Sequence, residues 1–355
     1  QGFIRPHMAD ENDKRTIYMV DMHEPLMFLH NLGTTIKEPF ASNPAVLDAV
    51  EKNHKKLQIA MTKLYPGNLV LSLSSGIMYH RLVDRITALN DVPREPLVPR
   101  RLGKNMCVPF GKILRGKVVP NTVTKTLHTD KVYEPDLNSF TIEPFPYYSP
   151  LKSQIETIKS FDRPVILVDD LVHTANRLQV LVPQLREDGI PIKKVVVGVL
   201  SGYGRDLMQC LKVPVESIYS MPNLRQWFVE STLYPFIGGN TVRREEMKVA
   251  GLQPSINMIL PYATPRLSGC SREALVEFSA CCIENSRDLF QVLEAEYRKM
   301  YAKNLTLSRL SEAVILPLCP DKGSCMEYDE NLAASVYLEN DLETLWRMKE
   351  FMIKG

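Results

Sequence analysis

Two adjacent carboxylates, Asp169 and Asp170, close the apolar run at 165–168 (VILV), and a short turn with His173, Thr174, Ala175, Asn176 and Arg177 follows. Four consecutive β-favouring residues fit a strand buried on both faces, as in a parallel sheet. Acids at the tip of such a strand are costly unless they meet cations or hydroxyls. In open α/β sheets the carboxyl ends of the strands are where ligands bind. The turn opens a helix carrying Leu178, Val180, Leu181 and Leu185, so its free N–H groups and dipole favour a phosphate. Acids that hold sugar hydroxyls, followed at once by a phosphate cradle, make a grip for ribose 5-phosphate.

The elements around this motif can be read in outline. Gly189 ends the helix, and 194–200 (KVVVGVL) is a second continuous apolar strand. Strand, helix and strand form a βαβ unit. Earlier, 68–73 (NLVLSL) is β-prone, Ser74, Ser75 and Gly76 make a small-residue turn, and 77–89 reads as a helix. Asn43 followed by Pro44 is a helix start, and Val46, Val50, Leu57, Met61 and Leu64 recur at helical spacing up to Pro66 and Gly67. Residues 16–20 are β-prone, and Asp21, His23 and Glu24 beside Pro25 read as a turn rather than a metal site. Residues 147–161 form an amphipathic helix, and a further strand lies near 215–219. From Ser271, an N-cap, a three-four apolar rhythm runs from Leu275 to Met300, and a last helix spans 342–353.

Residues 165–177 (VILVDDLVHTANR) resemble the phosphoribosyl-pyrophosphate (PRPP) signature of type I phosphoribosyltransferases. The resemblance covers roughly residues 65–240. It implies that Asp169 and Asp170 contact the ribose hydroxyls and touch Mg²⁺ only indirectly, through Mg-PRPP. It implies that His173, Thr174, Ala175, Asn176 and Arg177 cradle the 5′-phosphate, and that Ser74, Ser75 and Gly76 meet pyrophosphate. A mobile covering loop falls at 119–136, with Lys125 and His128 as the cations of catalysis, and Trp227 or Tyr234 would stack on the acceptor base. Ala175, Asn176 and Arg177 stand where the usual turn has two glycines and a hydroxyl residue.

The expected fold is α/β, an open, mostly parallel twisted sheet flanked by helices, with a mostly helical C-terminal part. The expected division is a cloning remnant at 1–8, an N-terminal helical cap at 9–64, the phosphoribosyltransferase-like domain at 65–245 and a helical region at 246–355.

With 355 residues, 45% of them hydrophobic and 24% charged, the composition is that of a globular chain. No apolar run approaches the ~18 residues of a membrane span. The net charge of +2 leaves electrostatics to local segments. Residues 94–131 are such a segment, with nine Lys or Arg against two acids. Seven scattered cysteines, with no metal-ligand spacing, read as reduced thiols and point to a cytoplasmic protein.

Three readings of function follow. The first is a Mg²⁺-dependent phosphoribosyltransferase that moves ribose 5-phosphate from PRPP to a nucleobase-like acceptor, releasing pyrophosphate. The second is a non-catalytic module that binds PRPP or a nucleotide, with the C-terminal helices as a partner or homo-oligomer surface. The third is nucleic-acid binding through 94–131.

Overall fold

Where the sequence supplies caps, the helices begin as expected. In a computed structural model describing residues 3–4, 18–19 and 21–354, apart from 100, 147, 245–248, 250, 266, 268 and 324–326, the Asn43 side chain accepts from the Ala45 and Val46 amides. The Ser271 hydroxyl likewise accepts from the Ala274 amide. The remnant expected at 1–8 and the strand expected at 16–20 lie outside the described residues, apart from 3–4 and 18–19.

In chain order the elements are β1 (Phe3–Ile4), β2 (Tyr18–Met19), β3 (Asp21–His30), α1 (Pro44–Leu64), β4 (Asn68–Ser74), α2 (Ser75–Leu89), β5 (Met106–Pro109), β6 (Val123–Thr124), β7 (Thr129–Tyr133), β8 (Phe140–Pro144), α3 (Leu151–Lys159), β9 (Val165–Val172), α4 (Asn176–Glu187), β10 (Ile192–Ser201), α5 (Gly202–Cys210) and β11 (Val215–Met221). Then come β12 (Gln226–Val229), α6 (Glu230–Leu233), β13 (Asn240–Val242), β14 (Gln253–Ile256), α7 (Arg272–Tyr301), β15 (Leu318–Pro320) and α8 (Ala334–Lys354). The turn expected at Asp21 to Pro25 is instead the start of β3. Leu26, Met27, Phe28 and Leu29 behind it are all buried, and that apolar run outweighs the single proline.

The chain folds as two compact units. The first comprises Gln1–Ser72, Tyr133–Asn138 and Arg225–Gly355; the second comprises Leu73–Val132 and Ser139–Leu224. Each unit is assembled from segments that are discontinuous in the chain. The N-terminal helix and the C-terminal helices share one core, because the apolar stripe of α1 needs a partner and that of α7 supplies it. Leu57 and Met61 belong to the same buried cluster as Phe278, Ile283 and Leu289. Asn53 and Asn285 tie the two helices further, each side-chain amide donating to the other's carbonyl at 2.6 and 2.9 Å. Also in this unit β12, β3 and β4 form a three-stranded sheet, with β12 parallel to β3.

The second unit carries a five-stranded sheet in the order β11-β10-β9-β5-β6, parallel throughout. Val165 to Val168 in β9, and Val195, Val196, Val197 and Val199 in β10, are buried, as a sheet covered on both faces requires. The architecture is therefore α/β, with mostly parallel strands flanked by helices and a helical C-terminal part. No helix among the described residues is long and apolar enough to cross a membrane.

Candidate functional site

In the second unit β9 continues through Asp169 and Asp170 to Val172, four residues beyond the apolar run. Beside it β5 ends at Pro109, paired with Val168, so the segment that follows β5 passes next to the two acids. Asp170 fastens that segment. Its Oδ2 accepts from the Lys112 amide at 2.7 Å and its Oδ1 from the Ile113 amide at 3.0 Å. Gly111 allows the approach: a Cβ there would lie 2.5 Å from Asp170 Oδ1 and 2.8 Å from Asp169 Oδ1.

Asp169 is nearly buried, and its Oδ1 accepts from the Asp170 amide at 2.8 Å. Burial pushes its carboxyl above the ordinary carboxylate range; Arg177 opposes the shift and the neighbouring Asp170 adds to it. The Arg177 guanidinium lies 3.8 Å from Asp169 Oδ1 and donates to the Phe110 carbonyl at 3.1 Å. That arginine therefore braces the loop after β5 against the helix after β9.

Arg115, at the far side of the same loop, has unmet hydrogen-bonding capacity. Its Nε and Nη2 are buried and have no hydrogen-bond partner. The guanidinium lies over the Phe145 ring, 5.1 Å from its centroid. Burial lowers its proton affinity, Asp130 opposes that shift, and Arg177 adds to it. An unpaired buried guanidinium is costly, and an anion is the partner that would satisfy it.

The turn before α4 joins these groups at the same sheet edge. Ala175 caps α4 with φ 49°, in the left-handed region that favours glycine. Asn176 donates to the Thr174 hydroxyl at 2.8 Å. His173 Nδ1 meets the Ser201 hydroxyl at 2.8 Å, and that hydroxyl accepts from the Gly204 amide at 3.0 Å to cap α5.

Several expected site residues are placed differently. Ser74, Ser75 and Gly76 do start a helix, but β4 before them is not a strand of the parallel sheet. The loop that runs beside the acids is Phe110 to Arg115. Its signal was there in the apolar run MCVP followed by Phe110, Gly111, Lys112 and Arg115. Within 119–136, where a mobile loop is expected, β6 pairs with β5 and β7 follows. Lys125 is exposed, with its amide bonded to the Cys107 carbonyl. His128 stacks on Tyr148 at 3.8 Å, and its backbone is held by Gln154 at both the amide and the carbonyl. Burial lowers the His128 pKa, with Arg115 and Lys125 adding to the effect, so these three groups share one electrostatic neighbourhood.

Trp227 and Tyr234 belong to the first unit. Trp227 is half-buried on β12, whereas Tyr234 is fully buried and receives a hydrogen bond from Asn285. Tyr234 is thus a core residue with no face left for an acceptor base. Two of the basic residues of 94–131 have partners within the fold. Arg94 pairs with Asp84 at 3.1 Å, and Lys117 lies over the Tyr79 ring.

No family model and no curated protein matches the chain. Among solved structures, a purine phosphoribosyltransferase from Pyrococcus horikoshii Ot3 aligns with 43% of this chain and 86% of its own, at 12% identity and a TM-score of 0.26.

Proposed function

We propose that the second unit binds a phosphorylated ribose, PRPP or a nucleotide, and that it works as a phosphoribosyltransferase. The observation that carries this reading is the Arg115 guanidinium. It is held beside the acid pair with two buried nitrogens, Nε and Nη2, unmatched by the protein. The chain already meets the cost of burying that cation, and a bound phosphate recovers it.

In this reading the amides at the start of α4 receive the 5′-phosphate, where the helix dipole favours an anion. Arg115 and Lys112 face the pyrophosphate, with Lys125 and His128 adding positive potential. Asp169 and Asp170 keep lone pairs that accept from ribose hydroxyls. Both oxygens of Asp170 serve the backbone and Asp169 faces Arg177, so the carboxylates suit Mg²⁺ only through the ligand. Bound to the pyrophosphate, Mg²⁺ supplies charge neutralisation. In the transfer itself the bond from C1 of the ribose to the pyrophosphate oxygen breaks, and a bond from C1 to a nitrogen of the acceptor forms. The transition state resembles an oxocarbenium ion, so the protein's tasks are to hold the departing charge and exclude water.

A second reading, binding without transfer, is favoured by the Arg177 contacts. Its guanidinium is occupied by the Phe110 carbonyl and Asp169, inside the turn that should hold the 5′-phosphate. A pyrophosphate-release assay with PRPP, Mg²⁺ and a panel of nucleobases separates the two. Release with one acceptor supports transfer. Binding without release across the panel rejects transfer and leaves the binding module.

A further inference from the structure

The first unit holds a second polar cluster, independent of the site proposed above. His30 is the last residue of β3, and Glu230 directly follows β12, its parallel neighbour. The pairing of Leu29 with Val229 sets these two side by side at the ends of their strands. His54 comes from α1. Among the described residues these three form the one group of His, Cys, Asp or Glu whose donor atoms converge, all within 4.8 Å of one another.

The nitrogen–carboxylate separations fit a shared ion better than hydrogen bonds, whereas the two imidazole rings lie against each other with centroids 2.8 Å apart and have to turn apart for both Nδ1 atoms to reach one ion. His30 Nδ1 lies 3.6 Å from Glu230 Oε2, and His54 Nδ1 lies 3.6 Å from Glu230 Oε1. Both exceed the ~3.2 Å limit of an N–H···O bond. Two zinc–ligand bonds of about 2.1 Å meeting at a tetrahedral angle put their donors about 3.4 Å apart. His30 Nδ1 is also buried and has no hydrogen-bond partner. Glu230 is 1% exposed, and among the described residues its hydrogen-bond and ion-pair partners are His30, His54 and Tyr234, with no Lys or Arg. A carboxylate buried without a cation is costly, and a divalent ion supplies the charge.

The surroundings orient the three ligands. The Nε2 of His30 bonds the Ser72 hydroxyl, and the Nε2 of His54 faces the Gln58 amide at 3.3 Å. As placed, the Gln58 amide nitrogen can only donate to His54 Nε2, so ligation through Nδ1 requires that amide to turn its oxygen toward His54 and Ser72, whereupon both rings donate outward from Nε2. Phe28, fully buried on the same face of β3 as His30, meets the His30 ring edge-on at 4.6 Å and stacks on His54 at 5.8 Å. Behind the carboxylate, Asn285 donates to the Tyr234 hydroxyl at 3.0 Å, and Tyr234 donates to Glu230 Oε1 at 3.4 Å. That chain leaves Glu230 as an acceptor facing the histidines.

We propose that His30, His54 and Glu230 bind one divalent transition-metal ion, Zn²⁺ by donor set, through two imidazole Nδ1 atoms and a carboxylate. Ca²⁺ and Mg²⁺ prefer all-oxygen shells of six or more ligands. Two imidazoles and one carboxylate suit Zn²⁺ and its first-row neighbours. Three protein ligands leave a tetrahedral ion one vertex for water, so the site has room for a Lewis acid as well as a structural ion.

The test uses the full chain, stripped with a chelator and titrated with Zn²⁺ in competition with a chromogenic chelator. Co²⁺ serves as a spectroscopic probe. The expected result is one Zn²⁺ per chain and visible d–d absorption from the Co²⁺ form. His54→Gln, at a half-exposed position, should lose more affinity than the tenfold to hundredfold that outer-shell changes typically cost, and Gln58→Ala should lose about that amount. His80→Gln, outside the cluster, should bind as the parent does. Should His54→Gln unfold, the stoichiometry and the Co²⁺ spectrum of the unmodified chain still decide. No saturable 1:1 binding, or affinity equal in the parent and a folded His54→Gln, overturns the proposal. The PRPP assays stand apart from this outcome, because the cluster and the acid pair belong to different units.

Discussion

The Asp170 carboxylate accepts the backbone N–H of Lys112 at 2.7 Å, and through that bond the strand with the acid pair fixes the loop with the basic side chains. Its second oxygen takes the Ile113 amide, so one side chain sets the geometry of loop 110–115. The same contact makes Asp170 structural as well as a candidate for binding sugar.

The Gly111 position is the most sharply constrained in this contact. A Cβ there collides with both carboxylates, so Gly111→Ala must push the loop off Asp170. Overpacking of this kind costs about 1–3 kcal/mol. Chemical denaturation should show a lower midpoint with an unchanged slope, together with weaker PRPP binding.

The guanidinium of Arg115 predicts opposite effects on stability and on binding. Arg115→Met keeps most of the volume and removes two buried nitrogens that have no hydrogen-bond partner. Relief of such a group is worth about 1–3 kcal/mol, so the melting temperature of the ligand-free chain should rise by a few degrees. Anion affinity should fall about tenfold or more, as loss of a charge-assisted hydrogen bond implies. A variant that neither gains stability nor loses affinity would contradict the reading of Arg115 as an unpaired cation awaiting an anion.

The pH dependence follows from Asp169. Its carboxyl is raised by burial, so between its unfolded value near 4 and its folded value, about 7, the native state holds more proton than the unfolded one. Stability from this group is therefore lost as pH rises through that window. Asp169→Asn does not titrate. The melting temperature of the variant minus that of the parent should grow from about pH 4 to about pH 7 and level off above. A difference that stays flat across the window, or shrinks with pH, contradicts the buried placement of Asp169.

Ala175 sits with φ 49°, a conformation that costs a non-glycine residue roughly 1–2 kcal/mol. Ala175→Gly removes that strain and gives back part of the gain as unfolded-state entropy. The expected net gain is about 0.5–1 kcal/mol in a denaturant titration, with ligand binding intact.

How much of this was legible in the sequence depended on the range of each interaction. The strand at 165–168, the cap at Asn43 and the cap at Ser271 are local, and they form as read. The parallel sheet followed from runs apolar at every position. What failed was long-range. Nothing near Asn53 signals Asn285, yet that pair joins the N-terminal helix to the C-terminal one. Order along the chain points to Ser74–Gly76 as the loop that meets pyrophosphate, whereas strand neighbourhood sets Phe110 to Arg115 beside the acids. Tyr234 was read as a stacking residue from its position. Only packing reveals that its ring is buried and its hydroxyl committed. His30, His54 and Glu230 lie far apart in sequence on three elements, so no spacing rule could have gathered them.

Calorimetric titration of the full chain with PRPP in the presence of Mg²⁺, run beside folded Arg115→Met, tests the central claim most directly. The account predicts saturable binding near one site per chain, weakened tenfold or more by the substitution. Absence of binding in the parent, or equal affinity in the two proteins, would contradict it.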